Sequence, residues 1–207
     1  PDLTMVSPMV VDGEPIGYAV SRAHHADVGG MAPGSMPAGA REIYQEGLRI
    51  PPVRIVEDGE RNTELLSLLL ANVRNASERR ADLRAQIAAN ERAEERLADL
   101  LSEHGRAGLR AAFDAVVDYS RDRMAAAISD LPSGTFAAEE FLEGDGITDD
   151  NIPIRVRVTI SEASITVDFA DTAPQVAGNV NAPRSVTKSA VYFVVRAVTD
   201  PDIPPNH

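Results

Sequence analysis

The chain has 207 residues and no cysteine. Disulfides, thiolate nucleophiles and cysteine-ligated zinc are excluded at once. The same absence accommodates a cytoplasmic location, the one expected here, without requiring it. Tryptophan is missing too, and aromatic residues make up only 4% of the chain, so the core has to be built from Leu, Val, Ile and Ala. Lys188 is the only lysine. A phosphate-cradling loop ending in Gly-Lys-Ser/Thr therefore cannot be written anywhere, and any ATP used must be bound by another chain. The formal net charge of −12 argues against nucleic acid, whose phosphates demand Lys and Arg. No apolar run reaches the roughly 20 residues that a membrane-spanning helix needs.

What is present reads as an α+β protein. Hydrophobic content of 43% and charged content of 25% are those of a globular chain. Residues 3–20 are strand-like around Asp12-Gly13, a hairpin signal. Residues 24–60 form a long loop rich in Gly and Pro, with enough Met, Ile and Tyr to favour order. Helices are expected over 62–74, 77–104 and 107–130, with Gly105 as a stop. The stripe of the second helix, Leu83, Ile87, Asn90, Glu94, Leu97 and Leu101, carries two polar residues and is expected to be incompletely buried. Alternation at Ile154, Val156, Val158 and Ile160, resumed at Ile165, Val167 and Phe169, predicts a two-strand hairpin. The run from Ser185 to Val198 suits a strand by its β-branched residues and a buried helix by its length, and the helix is preferred. Three segments follow, all within one larger catalytic subunit: 1–60, strands and a ligand-bearing loop; 61–132, helical; 133–207, a hairpin plus helix. The chain starts at Pro1 inside an apparent strand and stops inside a Pro/Asn run, and is expected to be an internal piece of that subunit.

The stretch from Ser21 to Pro37 concentrates the chemistry. It holds His24, His25 and Asp27 among glycines, which let backbone approach a ligand, and prolines, which stiffen it. Imidazole and carboxylate are hard-to-borderline metal donors. On a strand end, adjacent histidines point to opposite sides, so only one can face a shared ion. Loop hydrogen bonding and capping are the plainer reading of the same residues. Glu42, Tyr44, Gln45 and Glu46 form a polar cluster, in which Glu46 is a weak candidate general base and an exposed helical turn closed by Gly47 is the simpler account. Asp168, Asp171 and Asn181 lie where sites collect, but turn formation explains them as well. His104 suits a helix C-terminus.

Four stretches carry a family resemblance: Pro1–Met5, Arg22–Gly30, Glu42–Pro52 and Pro201–Asn206. They resemble the B subunit of the hydantoinase/oxoprolinase family, which includes ATP-dependent N-methylhydantoinases, 5-oxoprolinases and the large subunits of acetone and acetophenone carboxylases. The resemblance implies that Asp2 and His24 are metal ligands, with further ligands upstream of Pro1. It implies His25 and Asp27 as hydrogen-bond partners that orient them. The ion would be divalent (Zn, Mn or Fe). The resemblance also implies a partner, a hydantoinase A-type ATPase subunit that binds ATP and activates a small cyclic amide substrate by phosphorylation, after which the B subunit completes hydrolysis. Two other readings stand beside it: a subunit of an ATP-dependent ketone carboxylase, and a non-catalytic scaffold that binds its partner through residues 77–130.

Overall fold

A computed structural model describes residues 1–205; Asn206, the last residue of the Pro201–Asn206 stretch, lies outside the described residues. The chain divides at Gly105 into two compact units, Pro1–Gly105 and Arg106–His207. The division cuts through the helical segment 61–132. Its cause is local: within helix α2 (Ala76–Ser129), Gly105 adopts φ 68° and ψ 164°, a conformation essentially reserved for glycine. Two arms result, 76–104 and 106–129.

In the first unit, strands β1 (Asp2–Val11) and β2 (Glu14–His24) form an antiparallel hairpin. Asp12 and Gly13 at its tip both have positive φ, as the tightest hairpin turns require. Its outer face, with Val6, Tyr18 and Val20, is exposed. Its inner face, with Leu3, Met5, Ser7 and Ala19, is half-buried to buried and is bonded to the 76–104 arm of α2. A two-residue ladder, β3 (Val56–Glu57) with β4 (Glu60–Arg61), interrupts the long loop. Helix α1 (Thr63–Ala71) follows, its first turn capped by the Asn62 side chain, which accepts from Leu65 N at 2.9 Å. Leu70, Leu83, Ile87 and Leu97 fill the core of this unit.

The stripe on α2 is incompletely buried, as expected: Glu94 and Leu101 are half-buried, while Asn90 is buried. Asn90 is 3% exposed, and its amide donates to Ser7 Oγ at 3.0 Å. Glu94 accepts from the backbone of Val10 at 3.2 Å. Polar residues stand in an apolar stripe here because they bind polar groups of the strand below them.

The second unit holds a three-stranded antiparallel sheet in the order β5 (Gly134–Leu142), β6 (Ile152–Ser161), β7 (Ser164–Asp168). The hairpin expected from alternation is β6–β7; β5 is additional. It is exposed along its whole length and its sequence, GTFAAEEFL, does not alternate; backbone pairing to β6 holds it, with cross-strand bonds of Thr135 to Thr159 and Glu139 to Arg155. The run from Ser185 is helix α3 (Arg184–Val198) and not a strand, but the expected burial is absent: none of its residues is buried, and Phe193 and Val194 are largely exposed. Leu109, Ile128 and Ile203 are buried. Asp145 ties the loop before β6 to Gly178, accepting from Ile147, Thr148 and Gly178 N at 2.8–2.9 Å. Those N–H groups, Thr148 and Ile147 foremost, hold its carboxyl below the usual carboxylate range. No helix among the described residues is long and apolar enough to cross a membrane.

Candidate functional site

The hairpin register sets Asp2 directly opposite His24. His25 N donates to Pro1 O at 3.0 Å, which makes the neighbouring Pro1/His25 pair hydrogen-bonded. Asp2/His24 is therefore the alternate, non-hydrogen-bonded kind, in which side chains approach most closely, with Cβ atoms about 5 Å apart. Both residues are exposed. On the same face, Arg22 lies 4.0 Å from the Asp2 carboxylate and donates through Nε to Thr4 Oγ1 at 3.0 Å.

A bulge decides this pairing. Near the turn, Val10 pairs with Pro15 and Val11 with Glu14; beyond it, Met9 pairs with Gly17. Ile16 is thus the extra residue on β2. One inserted residue reverses which side chains share a face. Continued from the turn without it, the register would set Asp2 opposite Ala23 and send His24 to the other side.

His25 points inward, as strand alternation requires, and is 2% exposed. Its Nε2 lies 2.9 Å from Gln86 Oε1 on α2. The amide nitrogen of Gln86 donates to the carbonyls of Leu3 (3.0 Å) and Ser21 (3.4 Å). Carbonyl oxygens only accept, so the amide orientation is fixed, and His25 Nε2 must carry the hydrogen.

Asp27 is buried and organises the loop. Its Oδ1 accepts from Gly29 N and Arg74 N, both at 2.9 Å; its Oδ2 accepts from Gly34 N at 3.1 Å and Arg74 Nη1 at 2.8 Å. Arg74 also donates to Gly30 O at 2.9 Å and Ala32 O at 3.1 Å. Burial pushes the Asp27 carboxyl up, but the Arg74 backbone and guanidinium bonds with those of Gly29 and Gly34 outweigh it and hold the group well below the usual carboxylate range. Asp27 therefore fixes the loop that follows the histidines, and its described bonds go to that loop and to Arg74. Ser35 completes the lock, donating to Gly29 O at 2.7 Å and accepting from Val28 N at 2.8 Å.

Glu46 caps a 3-10 turn over Ile43–Gln45 and is exposed. Gln45 Oε1 accepts from Arg41 and Glu42 N, and Tyr44 stacks with Arg49. This is the helical turn closed by Gly47. Asp168 and Asp171 pair with Arg157 at 3.5 and 3.2 Å, and Asn181 closes a turn on Val176 and Gly178. His104 is exposed beside Glu103 at 3.7 Å. Sequence reasoning missed Gln86 and Arg74. For Gln86 a signal existed: Gln86, Asn90 and Glu94 recur every four residues inside an apolar stripe.

As donors, Asp2 and His24 fit a divalent cation: a carboxylate and an imidazole on one face of one hairpin. Among the described residues no group of three or more His, Asp or Glu could hold a metal, and two side chains alone do not complete a coordination shell.

Comparison with known proteins gives this arrangement a context. The model of the family described as Hydantoinase B/oxoprolinase matches residues 1–207. The chain is 31% identical over 228 residues to 5-oxoprolinase 1 of Arabidopsis thaliana, covering 100% of this chain and 18% of that protein. It is 33% identical over 194 residues to the caprolactamase subunit beta of Pseudomonas jessenii, covering 93% of this chain and 33% of the subunit. The crystal structure of that ATP-dependent caprolactamase superposes with a TM-score of 0.89 at 30% identity, over 100% of this chain and 35% of the other. A nucleotide-free acetone carboxylase shares the fold, with a TM-score of 0.87 at 20% identity over 97% of this chain and 28% of the other. The chain thus spans about a third or less of the length of these relatives. It belongs to the Hydantoinase B/oxoprolinase family.

Proposed function

We propose that this chain is part of the B-type subunit of an ATP-dependent cyclic amide hydrolase, of the 5-oxoprolinase, hydantoinase or caprolactamase kind, working in the cytoplasm. Family membership supplies the reaction class. The pairing of Asp2 with His24 on an exposed face carries the assignment of the site. Asp2 and His24 contribute two ligands to a Zn, Mn or Fe ion, and residues outside this chain complete the shell. Such a cation polarises a carbonyl or raises the acidity of a water. His25 and the Asp27 loop hold the backbone on which His24 stands. Arg22, 4.0 Å from the Asp2 carboxylate, offers a cation to an anionic substrate group. With a single lysine and no phosphate loop, the chain leaves ATP to an A-type partner subunit, which activates the substrate carbonyl.

The test is made on the full-length subunit with its partner. Asp2→Ala and His24→Ala should each lose the metal and the ATP-dependent hydrolysis of 5-oxoproline, hydantoins or lactams. Because both residues are exposed, stability should stay within about 0.5 kcal/mol of wild type. His25→Ala should keep more metal while losing tenfold to a hundredfold in activity. Full metal content in the Asp2 and His24 variants would refute the site. Acetone carboxylation in place of amide hydrolysis would transfer the subunit to the carboxylase branch.

A further inference from the structure

Gln86 lies beneath the Asp2/His24 pair, on the opposite face of the hairpin, and its amide makes three contacts there. It donates to Leu3 O, the residue after Asp2, and accepts from His25, the residue after His24. It also reaches Ser21 O on β2. Gln86 is buried, and so is its partner His25. One side chain therefore grips both strands at the end where the two candidate ligands stand side by side. The other hairpin ties from α2, through Asn90 to Ser7 and Glu94 to Val10, lie progressively further from that end.

We propose that Gln86 is the positioning residue of the metal pair: it fixes the separation of Asp2 and His24 without touching either. The inference rests on the reading of Asp2 and His24 as ligands. Coordination tolerates errors of about 0.2 Å in ligand distances. A two-stranded hairpin is too pliant to meet that alone, since isolated hairpins are marginal in water. Gln86 supplies the missing rigidity by bonding to both strands at once, and by holding the His25 ring through Nε2–H it fixes the backbone into which His24 is built. Support of this kind from beyond the ligands commonly changes metal affinity by tenfold to a hundredfold.

The experiment compares Gln86→Met with Asn90→Leu in the full-length subunit. Both remove buried amide bonds to the same hairpin from the same helix, so their thermal unfolding shifts should be similar. Zn2+ and Mn2+ affinities are measured by competition with a chelator, and metal content by elemental analysis. Gln86→Met should weaken binding tenfold to a hundredfold, and Asn90→Leu less than threefold. Should Gln86→Met fail to fold, Gln86→Glu serves: it keeps an acceptor for His25 but sets a carboxylate oxygen against Leu3 and Ser21 carbonyls, and should weaken binding likewise. Wild-type affinity in the Gln86 variants, or equal losses at Gln86 and Asn90, would overturn the positioning role. A wild type that binds no metal would overturn the ligand assignment itself, a failure visible before any Gln86 variant is measured.

Discussion

Asp27→Asn should loosen the loop behind His24 by an amount that the geometry sets. The carboxylate accepts four hydrogen bonds, two at each oxygen. Asparagine keeps one oxygen and places an NH2 where the other stood. Two donors, Gly34 N and Arg74 Nη1, then face a donor. A hydrogen bond to a charged group contributes about 1.5–3 kcal/mol, so losing two costs about 3–6 kcal/mol. Arg74 is partly solvated and can recover some of its bonding from water, which favours the lower end, about 3 kcal/mol. At 1.4 kcal/mol per decade that is roughly a hundredfold in the opening equilibrium. Amide hydrogen exchange over residues 28–47 reads that opening directly. A pH series adds a signature. The folded carboxyl sits below its ordinary value, so its stabilisation is whole above about pH 4 and is lost as pH falls below that. Wild-type protection, corrected for intrinsic rates, should fall below pH 4, and the Asn variant should be flat there. Protection within threefold of wild type at pH 7, or the same acid slope in both proteins, would refute the claim that Asp27 holds the loop.

Gly30→Ala should abolish the wild-type loop conformation, because its Cβ would sit 2.5 Å from Gln45 O and 2.7–2.8 Å from Glu46 and Gly47 backbone at φ +86°. Gly34→Ala, at the same φ with nothing within 4 Å, should cost only about 1–2 kcal/mol of backbone strain, and thermal unfolding of the pair separates clash from strain. In the second unit, Gly178→Ala drives a Cβ to 1.8 Å from Asp145 O and should raise hydrogen exchange in the 144–148 loop; unchanged exchange would show that the Asp145–Gly178 contact is not what orders it.

Much of this fold can be read from local pattern. The Asp12-Gly13 turn, the helix stop at Gly105 and the β6–β7 alternation each announce themselves within a few residues. What escapes is whatever depends on a partner distant in sequence. Strand β5 has no alternation because neither face is buried, and pairing with β6 defines it. Asn90 and Glu94 look like flaws in a stripe until the strand beneath them is known. Arg74, 47 residues from Asp27, gives no sign of their bond. The resemblance implies Asp27 as a hydrogen-bond partner that orients the ligands; its four described bonds go to loop backbone and to Arg74.

The candidate site shows the same division most sharply. Residue type alone marks His24 as a donor, and alternation alone separates it from His25. Neither can say that Asp2 stands opposite His24, because that depends on parity across a turn more than ten residues away. The tip of the hairpin, Val11 opposite Glu14, would put Asp2 against Ala23. Ile16, the one extra residue in β2, reverses the parity and brings carboxylate and imidazole onto one face. The bulge lies at the far end of the hairpin from the pair it creates, in a stretch, Glu14-Pro-Ile-Gly17, with no metal-ligand character except Glu14. It also leaves β1 with one uninterrupted inner face, so that Leu3 and Met5 meet Gln86 and Asn90 in step with the helix, one contact per turn. Register and support are therefore linked: a slip that moved Asp2 off its partner would also pull the inner face off its ladder of amides. The polar residues on α2 thus hold the hairpin in the register in which Asp2 stands opposite His24.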